Sequence, residues 1–453
     1  MATRHRQLGW VLITLSFLIL LASVALVMTL GTAELAARLL DPDMLMLLVL
    51  ANIAFALARL ASSAHAWWAL GGRHWLPPLL LALVAIVPHA GVAWAGLATR
   101  SALIEVFAPV TQDSEEPSSV TSTTVPRGQV IGAMAPNPFA FPAPSDDGVL
   151  PSPLSEMTVP TTIPATVPFG GRRLNLLLLG GDAGPGRSGL RTDTIIVASI
   201  DSSSGAAALF SLPRNWGGLA FSDGTPYPGS ILNTVYSWGV KNPEIFGGID
   251  PGASALRDVV QSLTGLSIDY FFLVDLTGFA DLIDVLDGVT INVPRFVEAP
   301  LYDPETGEYE LIHINPGVQT LNGAETLGYV RARRGSSDYA RMARQRCVLA
   351  ALAETADPLH LFSHLPQILE TAQTHITTDF PLNLVSDLIR LAGRTSADEI
   401  RVIGFDATWG DGRTPTGAVI PEVQRVREAV RRTLVDPESA TELGVTTADE
   451  ACG

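Results

Sequence analysis

The sequence predicts an α/β protein in which a layered α/β/α domain follows a set of N-terminal transmembrane helices. Three observations support this: apolar runs crowd the first hundred residues, a Pro/Ser/Thr-rich stretch follows, and strand and helix patterns then alternate up to residue 434. The chain has 453 residues, 47% of them hydrophobic, with a mean hydropathy of +0.30 and a formal net charge of −16. This length allows more than one domain.

Residues 1–105 are predicted to form a membrane region with about three transmembrane helices. The run from Gly9 to Gly31 carries no charge and has about the 20 residues needed to cross a bilayer. A second apolar stretch begins at Met44 and meets Arg59, and a third runs from Trp75 to Ala98. A cleaved signal peptide is the competing interpretation of the first run. It is disfavoured because no small-residue cleavage site stands out and further spans follow.

Arginines predict the orientation of these spans. Arg4 and Arg6 precede the first span, and Arg59 and Arg73 flank the loop after the second. We therefore expect a cytoplasmic N-terminus. An odd number of crossings then makes this a multi-pass cell-membrane protein whose residues after Arg100 are extracytoplasmic.

Residues 106–170 are predicted to be an extracytoplasmic linker. From Pro109 to Pro168 the composition changes to Pro, Ser, Thr and Val with almost no hydrophobic periodicity. Such a segment cannot bury enough apolar area to offset its ordering entropy, so it is expected to stay extended as a spacer.

The folded domain is predicted to span residues 171–435, followed by a C-terminal tail at 436–453. A continuous apolar run is typical of a strand buried on both faces, and the strand candidates are 174–179, 194–200, 207–212, 270–274 and 289–293. Helical patterns lie between and after them, at 242–263, 277–286, 324–330, 338–355, 384–392 and 420–434.

The stretch from Arg331 to Arg346 carries six arginines against one acid, so an anionic ligand is expected there. Asp338 is a candidate N-cap of the helix that follows. Asp338, Arg341 and Gln345 then recur at i, i+3 and i+7 and share one helix face. Guanidinium groups at that spacing suit the bidentate binding of phosphate oxygens. The alternative is a solvated basic helix face.

A glycine-rich loop joins the first two strands, with Asp182 and Asp193 at its ends. It lacks the Gly-Lys-Ser/Thr ending of a nucleotide P-loop, so nucleotide binding is not indicated. Two carboxylates about 4 Å apart repel by roughly 4 kcal/mol at an effective dielectric near 20, a cost that a divalent cation removes. Oxygen ligands beside a phosphate favour Mg²⁺. The alternative is that both aspartates are turn formers or caps. Arg214, after the third strand, falls at the same sheet edge.

Several motifs, in this order, resemble the LytR-CpsA-Psr family. The resemblance covers roughly residues 174–434, and only the combination is specific. The motifs are Asn-Leu-Leu-Leu-Leu-Gly-Gly-Asp182, Arg191-Thr-Asp193-Thr, Ser-Leu-Pro-Arg214, Leu232-Asn233-Thr-Val-Tyr236, Asp269-Tyr-Phe, Tyr329-Val-Arg331-Ala-Arg333 and Asp338-Tyr-Ala-Arg341-Met-Ala-Arg344-Gln345.

The resemblance implies a central mixed sheet and a membrane-anchored extracytoplasmic phosphotransferase that requires Mg²⁺. Its members move a glycopolymer from a polyprenyl pyrophosphate carrier to peptidoglycan and bury the polyprenyl tail in an apolar tunnel between sheet and helices. By this resemblance Asp182 and Asp193 would hold the metal, and Asp193, Arg214, Arg341 and Gln345 would be catalytic. The residues implied at the pyrophosphate are Arg191, Arg214, Arg331, Arg333, Arg341, Arg344 and Gln345.

The chemistry needs no covalent nucleophile, because phosphoryl transfer relies largely on positioning and charge stabilisation. Asp193 or a metal-bound hydroxide is the expected base for the acceptor hydroxyl. Asn215 stands where many relatives have Asp, so Arg214 is expected to be held less firmly. Two other function classes stay open: a pyrophosphatase of the same lipid-linked substrate, and a non-catalytic wall-binding or regulatory protein. No nucleic-acid partner is expected, since the cytoplasmic N-terminal segment is too short to form a DNA-reading domain.

Cys347 and Cys452 are the two cysteines of the chain. Outside the membrane they can oxidise, and a disulfide between them would tether the tail to the arginine-bearing helix. Two free thiols are the alternative.

Overall fold

The computed structural model describes residues 32–69, 76–107, 168–182, 190–302, 309–334, 337–355, 361, 364–396, 399–436, 442 and 444–447. These form two compact units. The first comprises the described parts of 1–103, 357–363 and 383–394, and the second those of 104–356, 364–382 and 395–453.

The helices are α1 (Thr32–Leu39), α2 (Pro42–Ala69), α3 (Leu76–Phe107), α4 (Val235–Lys241), α5 (Pro251–Thr264), α6 (Leu276–Val285), α7 (Gly323–Arg331), α8 (Asp338–Thr355), α9 (Leu365–His375), α10 (Val385–Ala392) and α11 (Val423–Val435). The strands are β1 (Arg173–Gly181), β2 (Thr192–Asp201), β3 (Ala207–Ser211), β4 (Tyr270–Val274), β5 (Val289–Val293), β6 (Val297–Tyr302), β7 (Tyr309–Ile314), β8 (Gly317–Leu321), β9 (Ile376–Thr378), β10 (Arg401–Gly404), β11 (Gly410–Arg413), β12 (Val419–Pro421) and β13 (Thr446–Thr447).

In the first unit one helical stretch of the described residues, Pro42–Ser62 of α2, is long and apolar enough to cross a membrane. The first span predicted from the sequence, residues 9–31, lies outside the described residues, and the third falls largely in α3. A polar pair joins α2 to α3: the Asn52 amide donates to the carbonyl oxygen of His89 at 2.8 Å, and its Oδ1 lies 2.6 Å from His89 Nδ1. Hydrogen bonds of this kind hold apolar helices together.

A seven-stranded mixed sheet forms the centre of the second unit, in the order β13-β10-β3-β2-β1-β4-β9. β1 pairs antiparallel with β2 and parallel with β4, which confirms the expected mixed sheet. The five strands predicted from the sequence all form. The fifth, β5, pairs with β8 outside the main sheet, and β6 and β7 make a separate two-stranded ribbon.

Other elements pack against both faces of the sheet. Side chains alternate along each strand, so successive residues contact opposite faces. Leu177 and Leu179 of β1 pack in one core with Leu256 of α5 and Val426 of α11. Leu178, between them, points to the opposite face and lines a cavity. The continuous apolar run in β1 is therefore explained by contacts on both faces.

Two predicted helices have different limits. In place of a single helix over 242–263, α4 ends at Lys241 and α5 begins at Pro251, because the Asp250 side chain accepts a hydrogen bond from Ala253 N and caps the new helix. In place of a helix starting at residue 420, Val419–Pro421 pairs with β11, and α11 starts at Val423.

Candidate functional site

A cavity of about 690 Å³ lies between the sheet and a cover formed by α6, α7, α8 and the β6–β7 ribbon. Its wall is mostly apolar, and charged side chains gather at one part of it. The apolar lining includes Leu178, Ile196, Phe272, Phe279, Leu282, Leu311, Leu327, Leu349 and Leu352; the charged lining comprises Asp182, Arg191, Asp193, Arg214, Asp275, Glu298, Arg331, Arg333, Arg334 and Arg341.

Asp182 and Asp193 reach the cavity from the adjoining ends of β1 and β2. The register of these strands shifts at Gly180/Gly181, and a Cβ on Gly180 would lie 2.9 Å from Thr194 Cβ, so glycine permits this close approach. Asp182 Oδ1 accepts a hydrogen bond of 2.7 Å from the backbone N–H of Arg191. Asp182 N in turn donates to the carbonyl oxygen of Arg191 at 2.9 Å, which closes the base of the intervening loop.

Asp193 is the centre of the charged cluster. Its Oδ1 accepts hydrogen bonds from Arg214 Nη1 at 2.5 Å and Asn233 Nδ2 at 3.2 Å. Its Oδ2 lies 3.7 Å from both Arg333 Nη2 and Arg341 Nη1. Burial alone raises the pKa of Asp193, but the hydrogen bond and charge of Arg214, the amide of Asn233 and the charge of Arg341 outweigh it, and the pKa lies below its ordinary value.

Asp338 is a second carboxylate of this cluster, and it contacts two of the arginines that surround Asp193. Its Oδ1 lies 3.1 Å from Arg341 Nη2 and 3.3 Å from Arg214 Nε. Arg341 is only 2% exposed. Burial, with the charge of Arg214, lowers the pKa of Arg341 to about 10, against the opposing influence of Asp338 and Asp193.

One guanidinium nitrogen in this cluster, Arg341 Nε, is buried and makes no hydrogen bond to any described residue. Arg214 Nε is also buried, and Asp338 Oδ1 lies 3.3 Å from it. The cavity as a whole is lined by six arginines against four carboxylates. An anionic ligand fits this excess of positive charge.

One face of α8 carries charged and polar side chains near its start and apolar side chains further along. Arg341 and Gln345 line the charged part of the cavity, and Leu349 and Leu352 continue the same face along the apolar wall. These residues recur at intervals of three or four, as one helix face requires. Gln345 is 8% exposed, so packing restricts its position.

The structure brings together most of the residues predicted for the site. Those that line the cavity are Asp182, Arg191, Asp193, Arg214, Arg331, Arg333, Arg341 and Gln345. Arg344 does not line it. Its guanidinium donates to the carbonyl oxygens of Tyr329 and Ala332 and lies 5.7 Å from the centre of the Tyr329 ring. Arg344 therefore supports the end of α7 and the segment that carries Arg333.

The contribution of Asp338 was not predicted from the sequence, where this residue is the candidate N-cap of α8. Instead, Ser337 Oγ accepts a hydrogen bond from Ala340 N and caps the helix, leaving the Asp338 carboxylate to pair with arginines. Asn233 was also missed, although it lies in a motif of the resemblance. Asn233 is 4% exposed, and its position in the sequence directly after Leu232 and two residues before Val235 was the available signal.

Arg214 contacts two carboxylates, Asp193 and Asp338, which lie on β2 and α8. These two ion pairs orient its guanidinium although residue 215 is an asparagine. That Arg214 is held less firmly than in relatives with an aspartate at that position stays a prediction.

The carboxylates of Asp182 and Asp193 fit a magnesium ion if an anionic ligand is bound beside them. Carboxylate oxygens of Asp182 and Asp193 border one cavity, and Mg²⁺ typically takes one or two carboxylates together with ligand oxygens and water. In the described part of the chain no group of three or more His, Cys, Asp or Glu side chains could hold a metal ion, so oxygens of a ligand and of water would have to complete the coordination. Since three arginines already neutralise Asp193, the cation fits only with an anionic ligand that engages those arginines.

Cys347 lies on α8, 1% exposed, and is disulfide-bonded. Its predicted partner, Cys452, lies outside the described residues, so this pairing stays a prediction.

Comparison with known proteins identifies the family. The profile of the LytR_cpsA_psr family matches residues 167–429, more than half of the chain. The chain belongs to the LytR-CpsA-Psr family. This family segment contains β1 to β12 and every cavity-lining residue.

Individual relatives are distant. The chain is 26% identical over 229 residues to the polyisoprenyl-teichoic acid–peptidoglycan teichoic acid transferase TagV of Bacillus subtilis, a match covering 49% of this chain and 54% of TagV. It is 33% identical over 178 residues to the probable cell wall biosynthesis protein LcpB of Corynebacterium glutamicum, covering 39% of this chain and 36% of LcpB. The chain thus spans about half the length of TagV and less of LcpB. The crystal structure of B. subtilis TagV aligns with 58% of this chain and 98% of its own, at 23% identity and a TM-score of 0.45.

Proposed function

We propose that this protein is a membrane-anchored phosphotransferase that moves a glycopolymer from a polyprenyl pyrophosphate carrier to peptidoglycan outside the cytoplasm. The observation that carries the proposal is a cavity in which six arginines, among them the buried Arg341, border a mostly apolar wall. A pyrophosphate joined to a hydrocarbon chain matches both parts. The relative TagV is named as a transferase acting between polyisoprenyl-teichoic acid and peptidoglycan, which supports this substrate class.

The arginines are suited to the pyrophosphate. Arg341 and Arg214 line the cavity, and Asp193 and Asp338 hold their guanidinium groups, so two fixed positive charges face the space that a pyrophosphate would occupy. Arg333 is 54% exposed in its side chain, so it would reach the ligand from the solvent side. Arg191 and Arg331 line the same cavity.

In the proposed reaction, an acceptor hydroxyl attacks the phosphorus next to the glycopolymer and polyprenyl phosphate leaves. Charge develops on the phosphoryl and leaving oxygens, where the fixed guanidiniums of Arg214 and Arg341 stabilise it. Asp193 and Asp338 hold those guanidiniums in place before the substrate binds. Mg²⁺, held by Asp182 and Asp193 together with the pyrophosphate, would neutralise further charge on the phosphate oxygens.

We also propose a multi-pass anchor with the N-terminus in the cytoplasm and residues 106–170 as an extracytoplasmic linker. This topology places the loop before α2 outside the cell. In support, Glu34 of α1, in that loop, forms an ion pair of 2.6 Å with Arg390 of α10, which lies within the family segment. Ser386 of α10 also donates to the carbonyl oxygen of Ala37. These contacts support the proposed topology, in which the loop before α2 and α10 lie on the same side of the membrane.

The deciding experiment incubates the purified full chain in detergent with a lipid-linked glycopolymer donor, peptidoglycan fragments and Mg²⁺. We expect polymer joined to peptidoglycan through a phosphodiester, detected by mass spectrometry. Free phosphorylated polymer alone would identify a pyrophosphatase instead. An intact donor under all conditions would favour a non-catalytic wall-binding role.

A matched pair of variants separates site chemistry from folding. Arg341→Ala should abolish transfer, because it removes a cation that borders the reacting phosphates. Arg431→Ala removes an arginine from α11 that pairs with Glu428 on the exposed surface, and it should transfer normally. Equal activity of the two variants would refute the assigned site.

A further inference from the structure

The β6–β7 ribbon presents two kinds of side chain to the cavity. Val297 and Ala299 of β6 are buried in a second core, so the residues between and after them, Glu298 and Pro300, point to the opposite face and line the cavity. The strand register pairs Pro300 with Leu311, which also lines the cavity. The ribbon therefore places one carboxylate next to an apolar strip.

The surroundings of Glu298 are polar and partly exposed. Its register partner on β7 is His313, whose Nε2 lies 3.9 Å from Glu298 Oε1. Arg334 Nη1 lies 3.6 Å from Glu298 Oε2. Both contacts are longer than a hydrogen bond, so neither locks the carboxylate in one position.

Glu298 differs in this respect from the other three carboxylates that line the cavity. Asp182, Asp193 and Asp275 each accept at least one hydrogen bond of 2.8 Å or shorter. Asp193 in addition has three arginines around it. A carboxylate whose oxygens are occupied by strong donors is a poor proton acceptor, whereas Glu298 retains room for an incoming hydroxyl.

An exposed aromatic ring lies next to His313, the register partner of Glu298. Phe296, one residue before Val297, is 49% exposed, and its ring centre lies 5.3 Å from that of His313. A sugar ring has an apolar face that packs on such a surface, while a few polar groups fix its orientation. Glu298 and Arg334 are placed to supply those polar groups.

From this geometry we propose that Phe296, Glu298, His313 and Arg334 form the subsite for the acceptor saccharide, in which Glu298 is the general base. The inference rests on the proposed transferase function and replaces Asp193 as the expected base. Phe296 and His313 support the sugar ring, and Glu298 Oε1 or Oε2 receives the hydrogen bond of the attacking hydroxyl.

The acceptor oxygen forms a bond to the phosphorus next to the glycopolymer as its proton passes to the Glu298 carboxylate. The bond from that phosphorus to the bridging oxygen breaks, and polyprenyl phosphate leaves with the electron pair. The Glu298 carboxylic acid then returns its proton to solvent, to which its side chain is 37% exposed.

The first test compares Glu298→Gln with Glu310→Gln in the full-length protein. Glu310 lies on β7 of the same ribbon but is exposed and does not line the cavity, so it is a matched control. Glu298→Gln should lower kcat for transfer to a muropeptide by roughly 10²- to 10⁴-fold, the usual effect of losing a general base. Its affinity for inorganic pyrophosphate should stay within about twofold of wild type, and Glu310→Gln should match wild type in both assays.

Two outcomes would overturn the role of Glu298: transfer by Glu298→Gln within a few-fold of the wild-type rate, or a parallel loss of pyrophosphate affinity, which would place the residue in the donor site instead. Folding of each variant is checked by its melting temperature.

The second test measures muropeptide binding directly and does not need turnover. Phe296→Ala should weaken binding at least fivefold without changing pyrophosphate affinity, and unchanged muropeptide binding would refute the subsite. A wild-type protein that forms no phosphodiester would refute the transferase function, whereas wild-type transfer that survives in both variants would refute the acceptor subsite alone.

Discussion

Replacing Asp338 by asparagine should lower the stability of this protein and at the same time raise its affinity for pyrophosphate. Asp338 contacts Arg341 at 3.1 Å and Arg214 at 3.3 Å, and the three side chains are 20%, 3% and 19% exposed. A hydrogen bond to a charged group contributes about 1.5–3 kcal/mol. Because Asp193 still faces both arginines and Asp338 is partly exposed, we expect a loss near the middle of that range, about 2 kcal/mol.

The affinity should change in the opposite direction, because the variant removes a negative charge from an anion site. At a separation of about 10 Å and an effective dielectric near 20, one unit charge contributes roughly 1.5 kcal/mol, or about tenfold in Kd. Turnover should nevertheless fall, because Arg214 and Arg341 lose the carboxylate that orients them. A donor that binds more tightly but reacts more slowly is the expected signature.

Thermal unfolding and calorimetric titration with inorganic pyrophosphate test this prediction. A loss of about 2 kcal/mol should lower Tm by roughly 4–8 °C for a domain of this size. Asp411→Asn, which changes the same charge at an exposed position of β11, should leave Tm unaltered. An unchanged Tm for Asp338→Asn, or weaker pyrophosphate binding, would refute the reasoning.

Four other variants or conditions test the site and the tail. Arg341→Lys keeps the charge but loses the two-pronged geometry, so the Kd of inorganic pyrophosphate should rise about tenfold by calorimetry; an unchanged Kd would contradict bidentate binding. Leu349→Trp narrows the apolar wall, so long-chain polyprenyl phosphate should bind at least tenfold more weakly while inorganic pyrophosphate binds as before. Equal loss of both ligands would place the tail elsewhere. The lowered pKa of Asp193 stabilises the folded state fully above the ordinary pKa near 3.9, and this contribution is lost as the pH falls through the lowered folded pKa. Acid unfolding of Asp193→Asn should therefore lack that part of the pH dependence, and parallel curves for variant and wild type would disprove it. In the oxidised native protein neither Cys347 nor Cys452 should react with a thiol label; reaction of both would exclude the predicted tether.

The sequence predicted the layered sheet well because the relevant signals are local. The apolar runs of β1 and β4 and the alternating pattern of β5 identify strands regardless of their partners. β11 and β13 are short and not strongly apolar, so only their tertiary pairing defines them. The break between α4 and α5 depends on one cap, Asp250, within an otherwise helical pattern.

The sequence indicated most of the charged residues that line the cavity, but it did not indicate which partner a side chain takes where two compete. Arginines near an acidic loop indicated an anion site, and most of them line the cavity. Arg344 lies on the same helix as Arg341 but is rotated away from the cavity towards the end of α7. Asp338 was predicted to be the cap because helix starts favour aspartate, but the adjacent Ser337 is an equally favoured N-cap residue and takes that place in the structure. Such choices depend on packing between elements.

The face of α8 that carries Arg341, Gln345, Leu349 and Leu352 bears on the distance between the domain and the membrane during the proposed reaction. From Arg341 to Leu352 the helix rises about 16 Å, close to the depth of one leaflet of a bilayer's hydrocarbon core. A longer isoprenoid would extend past this wall, and its free end would remain among the membrane lipids. During each turnover the bound carrier would then hold the domain at the bilayer surface. The length of the Pro/Ser/Thr-rich spacer would limit the distance of the domain from the membrane only while no carrier is bound.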